Sequence, residues 1–421
     1  MEEALNILKD VLLRYWWIII PIALFFILRK IWLDYIVGKF ISELKWILLE
    51  VKFPREAVKS PKAMEQIFSG LHAIQKTPDF KERYFQGMIP SWYSLEVIGR
   101  EGKIQTFIRT QDKYRNLIES QIYAQYPDAE ICEAEDYINI LPADIPNKEY
   151  DVWGTELILT KADAYPIRTY PIFFEEKEAE ERTDPIAGLF EFLSSLNPQE
   201  HAWVQILISP TDDKWKDEGE KLVEKLIGRK AKKGKKGMVW EEVKSWSATL
   251  GEGVREFFFG PAGKPVEKPE LESLMAHLTP GQKEVVLAIE KNIAKLGYKT
   301  VIRYIYWTKK ETFSKDKTAA IGGFFKQFNT QNLNGFKPNK KVSPGWGKIR
   351  KKHREINQKR FFVKMYRDRY FPFDGFSKRG FVFNTEELAT IFHIPIKFVK
   401  VQRMPEIEAK KGGPPTGLPT G

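Results

Sequence analysis

The chain has 421 residues, with 67 Lys and Arg against 56 Asp and Glu and a formal net charge of +11. An apolar share of 43% excludes a disordered chain, and one cysteine, Cys132, excludes a disulfide-stapled scaffold. The length predicts two or three domains, and the excess of cations favours an anionic neighbour: nucleic acid, lipid headgroups or an acidic protein face.

The N-terminus is the most apolar stretch. Tyr15 to Leu28 reads YWWIIIPIALFFIL, without a charge. Extended to Val11–Leu33, it is long enough for a hydrocarbon core of roughly 30 Å. Tyr15, Trp16, Trp17 and Trp32 sit where interfacial aromatics belong, and Arg14, Arg29 and Lys30 can snorkel. The expectation is a single transmembrane helix over residues 1–40. Arg29, Lys30, Lys39 and Lys45 downstream outnumber Lys9 and Arg14 upstream. That balance predicts a single-pass protein of the cell membrane with its long C-terminal part cytoplasmic.

Residues 41–145 read as a first α+β unit. Glu43–Phe53 is strand-like. Ser60 can cap a helix over Lys62–Ile74, with Met64, Ile67, Phe68, Leu71 and Ile74 on one face. Trp92–Gly99 and Lys103–Arg109 form a hairpin through Arg100-Glu101-Gly102. A helix over Lys113–Ala124 and a strand at Ala129–Ala134 complete a β-α-β-β-α-β order, the ferredoxin-like arrangement. Cys132 falls in that last strand as a small core residue.

Residues 146–338 repeat the pattern with an interruption. Strands are expected at Thr155–Thr160, Ala202–Ser209 and Tyr298–Trp307, and helices at Asp184–Leu196, Asp213–Ile227, Gly281–Leu296 and Ala319–Phe328. Residues 229–278 read as an insertion. It opens on Arg229, Lys230, Lys232, Lys233, Lys235 and Lys236, a run that buries nothing and reads as a flexible surface loop or a phosphate or headgroup contact. The fold class expected is therefore α+β: an N-terminal transmembrane helix followed by tandem ferredoxin-like units, the second with an insertion.

Residues 339–395 carry the strongest charge bias. Twelve cations lie between Asn339 and Pro372: Lys340, Lys341, Lys348, Arg350, Lys351, Lys352, Arg354, Lys359, Arg360, Lys364, Arg367 and Arg369. Trp346, Phe361, Phe362, Tyr366, Tyr370 and Phe371 interleave with them. Basic residues among stacking rings suit single-stranded nucleic acid. They suit an acidic leaflet or a solvated helix as well. Asn384 with Glu387 three residues on is a capping-box pattern, and Pro395 ends that helix. Residues 396–421, ending GGPPTGLPTG, read as a linker-like tail.

Catalytic signatures are missing from the sequence. Gly260–Lys264 (GPAGK) has the wrong spacing for a phosphate loop, and no HExxH, GxSxG or CxxC occurs. His72, His201, His277, His353 and His393 are scattered; His72 and His393 lie on expected helices and His201 beside a strand, which favours structural roles for these three over ligand roles. The expectation is a non-enzyme with no cofactor and no metal.

Three segments together resemble a known family. They are DPIAGLFEFLSSLNPQEHAWVQILISP (Asp184–Pro210), the basic stretch ending YRDRYFPF (Tyr366–Phe373), and FVFNTEELATIFHIP (Phe381–Pro395) with the following EAKKGGPPTGLP. They look like the N-terminal, non-catalytic region of conjugal-transfer (type IV secretion) membrane ATPases of the HerA/FtsK class. The resemblance implies membrane and channel-protein partners, a RecA-like ATPase on a separate chain, and a homo-oligomer, since the chain ends where that family's motor begins. The function expected is a non-catalytic, membrane-anchored subunit of a DNA or protein transfer machine. The alternative is a membrane-tethered nucleic-acid-binding protein using residues 339–372.

Overall fold

The computed structural model describes residues 2–53, 59–175, 184–227, 278–345, 351–372 and 380–395. The basic run at 229–236 and most of the expected insertion lie outside them.

The chain opens on helix α1 (Glu2–Glu43) and strand β1 (Trp46–Lys52), then α2 (Lys62–Leu71), α3 (Phe80–Phe85), β2 (Tyr93–Arg100), β3 (Lys103–Gln111), α4 (Arg115–Gln125) and β4 (Glu130–Glu133). It continues through β5 (Tyr150–Leu159), α5 (Tyr170–Glu175), α6 (Ala187–Ser194), β6 (His201–Pro210), α7 (Lys214–Ile227), α8 (Pro280–Ile293), β7 (Gly297–Lys309) and α9 (Lys315–Lys326). It closes with β8 (Phe336–Pro338), α10 (Lys351–Arg367), β9 (Phe381–Asn384) and α11 (Thr385–Ile391).

Local chemistry explains the boundaries. The β2–β3 turn places Glu101 at φ 54° and Gly102 at φ 77°. Two positive φ values are what a two-residue hairpin connection requires, and Gly102 adopts one without strain. Helix α8 starts on a capping box between Thr279 and Gln282, with Pro280 in its first turn. Helix α2 differs from expectation. Its N-cap is Pro61, without a side-chain cap, and Ser60 contributes its carbonyl to the Ala63 N–H at 3.0 Å instead of its hydroxyl.

The strands correct the expected architecture. They form one continuous nine-stranded sheet in the order β4-β1-β3-β2-β6-β7-β5-β8, with β9 also paired to β7. Every pairing is antiparallel. The sheet is not a tandem ferredoxin-like arrangement. The reason is the seam: β2 and β6 pair along their length, from Tyr93 opposite Ile208 to Arg100 opposite His201. That register erases the edge that would separate two units. Every residue of β6 is buried, as befits a central strand covered on both faces.

The expected transmembrane helix is also overturned. Among the described residues, no helix is long and apolar enough to cross a membrane. Helix α1 runs past its apolar stretch into the folded body. Val37, Phe40 and Ile41 pack on Ile89, Trp92, Leu207, Val301 and Phe371. Arg29 donates to the Tyr84 hydroxyl at 2.7 Å, and the Trp32 indole donates to the Tyr84 carbonyl at 2.8 Å. The single-pass localisation that rested on a span falls with it.

Two layers cover the sheet. One face packs α2, α4, α6, α9 and α11 around Leu49, Val97, Ile108, Val204, Ile302 and Tyr304. The opposite face, with Leu48, Phe107, Val152, Trp203, Ile305 and Trp307, is covered by α10 and the segment around Ile138–Ile145.

Candidate functional site

Helix α10 is the element that gathers the predicted basic residues. Its apolar side, Phe362, Val363, Met365 and Tyr366, is buried on the sheet. Gly154 on β5 makes this possible, because a Cβ there would collide with the Phe362 ring. The exposed side carries Arg354, Arg360, Phe361 and Lys364. At about 100° per residue these four positions fall within roughly a third of the helix circumference, so they form one face. Lys340 and Lys341 are exposed on the turn after β8.

The remaining predicted cations divide differently. Lys359 is buried, with Nζ 2.7 Å from Asp151 Oδ1 and 3.6 Å from Glu355 Oε1. Arg367 donates to the carbonyls of Leu141 and Pro142 at 2.9 and 3.2 Å. Arg369 is buried, bonding Glu96 at 2.6 and 3.0 Å and Asp136 at 2.7 and 2.8 Å. Burial works against the Arg369 charge, yet Glu96, Tyr137 and Asp136 hold its pKa well above the ordinary arginine value. These three residues fix α10 rather than meet a ligand. Lys348 and Arg350 lie outside the described residues, as do Arg229, Lys230, Lys232, Lys233, Lys235 and Lys236. Lys351 and Lys352 begin α10.

Under α10 runs a polar row that sequence reading missed. Register sets Glu96, Gln205, Arg303 and Glu156 side by side across β2, β6, β7 and β5. All four are fully buried. Arg303 Nε donates to Glu156 Oε2 at 3.1 Å, and the Gln205 amide donates to the Tyr366 carbonyl at 3.2 Å. The latter bond ties the row to the helix above it. Arg369 closes the row at a φ of 46°, a left-handed position usually taken by glycine at a helix C-terminus. The two carboxylates that grip its guanidinium offset a strain of about 1–3 kcal/mol.

A second charged cluster sits on the opposite face, in the NTEELATIFHIP segment. The expected capping box is present: Asn384 Oδ1 accepts the Glu387 N–H at 2.8 Å, and Glu387 Oε2 accepts the Asn384 N–H at 3.1 Å. The other Glu387 oxygen accepts the Ile167 N–H at 3.0 Å. Glu386 receives Thr169 at 2.6 Å and Lys295 at 2.5 Å, and Lys295 also bridges to Glu65 at 2.6 Å. Asp163 accepts the Val382 N–H at 2.9 Å. Burial pushes the Glu387 carboxyl up to about 8, against the pull of its two backbone donors. Burial also raises Asp163 to about 6.

The histidines take packing positions where described. His393 bridges the Ala389 carbonyl and Asp184, each at 2.8 Å. His201 stacks on Trp307 at 3.9 Å, and burial lowers its pKa to about 4. His72 Nε2 lies 3.1 Å from the Gly297 carbonyl, His353 is exposed, and His277 lies outside the described residues. Cys132 is partly exposed on β4, 3.1 Å from Glu130, rather than in a core.

Among known families, the chain matches the one described as Domain of unknown function (DUF8128), over residues 41–405. That covers most of the chain, and the protein belongs to this family. No curated protein matches it significantly.

Proposed function

We propose that this protein is a non-catalytic, nucleic-acid-binding subunit of a DNA-transfer machine, holding a single strand along α10. The single observation that carries the reading is the stripe Arg354, Arg360, Phe361 and Lys364 on a helix whose inner side is locked to the sheet. Cations that follow a phosphate backbone and rings that stack bases are the two parts of a single-strand platform. Phe361 is 49% exposed and Tyr370 is 41% exposed. A rigid base helps, because a platform ordered before binding loses less entropy on binding.

The non-catalytic part rests on how the buried acids are used. Glu386, Glu387, Asp163, Glu96 and Glu156 accept from backbone N–H groups, hydroxyls or cations of this chain. That is structural chemistry. The transfer-machine context, with a RecA-like ATPase on a separate chain, is supported by the resemblance of segments 184–210, 366–373 and 381–395. Photo-crosslinking of a labelled single-stranded oligonucleotide, followed by peptide mapping, tests the binding surface. Crosslinks are expected at Phe361 and Tyr370. Crosslinks confined to the α2–α4 face would sink the reading.

A further inference from the structure

Beyond the C-terminal end of α10 lies a cavity of about 220 Å³, lined by Lys76, Thr77, Arg83, Thr211, Asp212 and Lys299 among others. It is far larger than the ~10–15 Å³ that one ordered water needs. Five separate parts of the chain build it: the loop before α3, α3 itself, the loop before β2, the end of β6 with the loop after it, and β7. Lys299, in its wall, also donates to the carbonyl of Pro372 on the chain leaving α10 at 2.6 Å.

Cations outnumber carboxylates among its lining residues. Its lining holds three cations, Lys76, Arg83 and Lys299, and one carboxylate, Asp212. Asp212 is already answered by Lys214 at 2.8 Å, outside the lining. Lys76 pairs with Glu82 at 2.7 Å, which fixes its ammonium beside the opening. The Arg83 guanidinium lies 5.8 Å from the Tyr84 ring centroid and, among the described residues, pairs with no carboxylate. Its planar fork of donors matches an oxyanion. Thr77 and Thr211 belong to the same lining, and each carries a hydroxyl.

We propose that this cavity is an oxyanion site that takes a phosphate group. It stands on residues outside the α10 stripe, so it does not rest on the reading of that stripe. The phosphate belongs either to a nucleic-acid strand leaving α10 or to a small phosphorylated molecule, and the recognition chemistry is the same.

The test is calorimetric titration of the full chain with inorganic phosphate. The wild type is expected to bind it in preference to chloride. Arg83→Gln, at an exposed position, is expected to weaken binding about tenfold by removing a charge-assisted donor. Lys299→Met, with an unfolding curve as control, is expected to do the same. The triple variant Arg354→Gln/Arg360→Gln/Lys364→Gln should leave phosphate binding unchanged while losing oligonucleotide. Competition between phosphate and oligonucleotide in the wild type, absent in Arg83→Gln, assigns the phosphate to the strand. Phosphate binding without competition assigns it to a small molecule. No phosphate binding, or binding indifferent to Arg83→Gln and equal to that of chloride, overturns the site.

Discussion

Helices α10 and α11 are both rich in charge, and they use it in opposite ways. On α10 the middle of the outer face is exposed and basic, while Lys359, Arg367 and, just past the helix end, Arg369 turn inward to carboxylates and carbonyls. On α11 every residue is buried, including Glu386 and Glu387. The difference lies in the partners. Glu387 meets backbone donors and Glu386 meets Lys295 and Thr169, whereas Arg354 and Lys364 are exposed. Charge in a sequence thus marks a surface only when the fold supplies no partner. Charged residues form an exposed stripe on one helix and internal bracing on the other.

The sharpest way to break this comparison is to cut the brace under α10. Arg369→Met leaves Glu96 and Asp136 without their shared guanidinium in a buried site. A loss of about 3–5 kcal/mol is expected, the usual effect of removing one partner from a buried ion pair. The urea unfolding midpoint measures it. If the midpoint stays put, Arg369 is not what holds the helix down.

Lys295→Met probes the matching brace under α11. It leaves Glu65 and Glu386 facing each other, and a loss of about 1–3 kcal/mol is expected by the same unfolding assay. Because Lys295 keeps 27% of its side chain exposed, the loss should be smaller than at Arg369. A larger loss would reverse the ranking of the two braces.

The acid side of α11 carries a pH signature. Glu387 has a folded pKa of about 8 against an ordinary 4.5, and Asp163 about 6 against 3.8. Both values are raised, so the folded state holds protons that the unfolded chain releases. Their stabilising contribution is complete below about pH 4 and is lost as pH rises through 6 for Asp163 and through 8 for Glu387. Glu387→Gln cannot ionise. Relative to wild type, it should be less stable at pH 5, where an acceptor is lost, and regain ground by pH 9. Parallel pH profiles for the two proteins would refute the assignment.

The smallest effect on stability is expected on the solvated stripe. Arg354→Gln/Arg360→Gln/Lys364→Gln should change stability by less than about 0.5 kcal/mol for each exposed substitution. A larger change would mean that the stripe braces the fold.

Much of the secondary structure was legible from pattern alone. The Arg100–Gly102 hairpin and the Asn384–Glu387 box carry a local signal of turn chemistry or capping, and the helix expected at Gly281–Leu296, observed at Pro280–Ile293, carries an apolar period. The sheet that joins them was not. Whether β2 and β6 pair is decided by register between residues about a hundred positions apart, which no local period records. The row Glu96, Gln205, Arg303 and Glu156 was hidden for the same reason, since each residue alone looks like ordinary strand polarity. At the N-terminus, the apolar run Tyr15–Leu28 drew attention away from Val37, Phe40 and Ile41, whose packing ties the helix to the folded body. For the basic segment, composition marked a stretch of chain and no more. It could not separate Lys359, Arg367 and Arg369, which face inward, from Arg354, Arg360 and Lys364, which face out.

The central claim, that α10 presents its outer cations to a nucleic-acid strand, is tested most directly by the salt dependence of single-stranded oligonucleotide binding. Each neutralised phosphate contributes a slope of about −0.7 to log K against log salt. The wild type should show a steep negative slope, and the Arg354→Gln/Arg360→Gln/Lys364→Gln variant a slope shallower by about 2. Equal slopes and equal affinities for the two proteins would contradict the account.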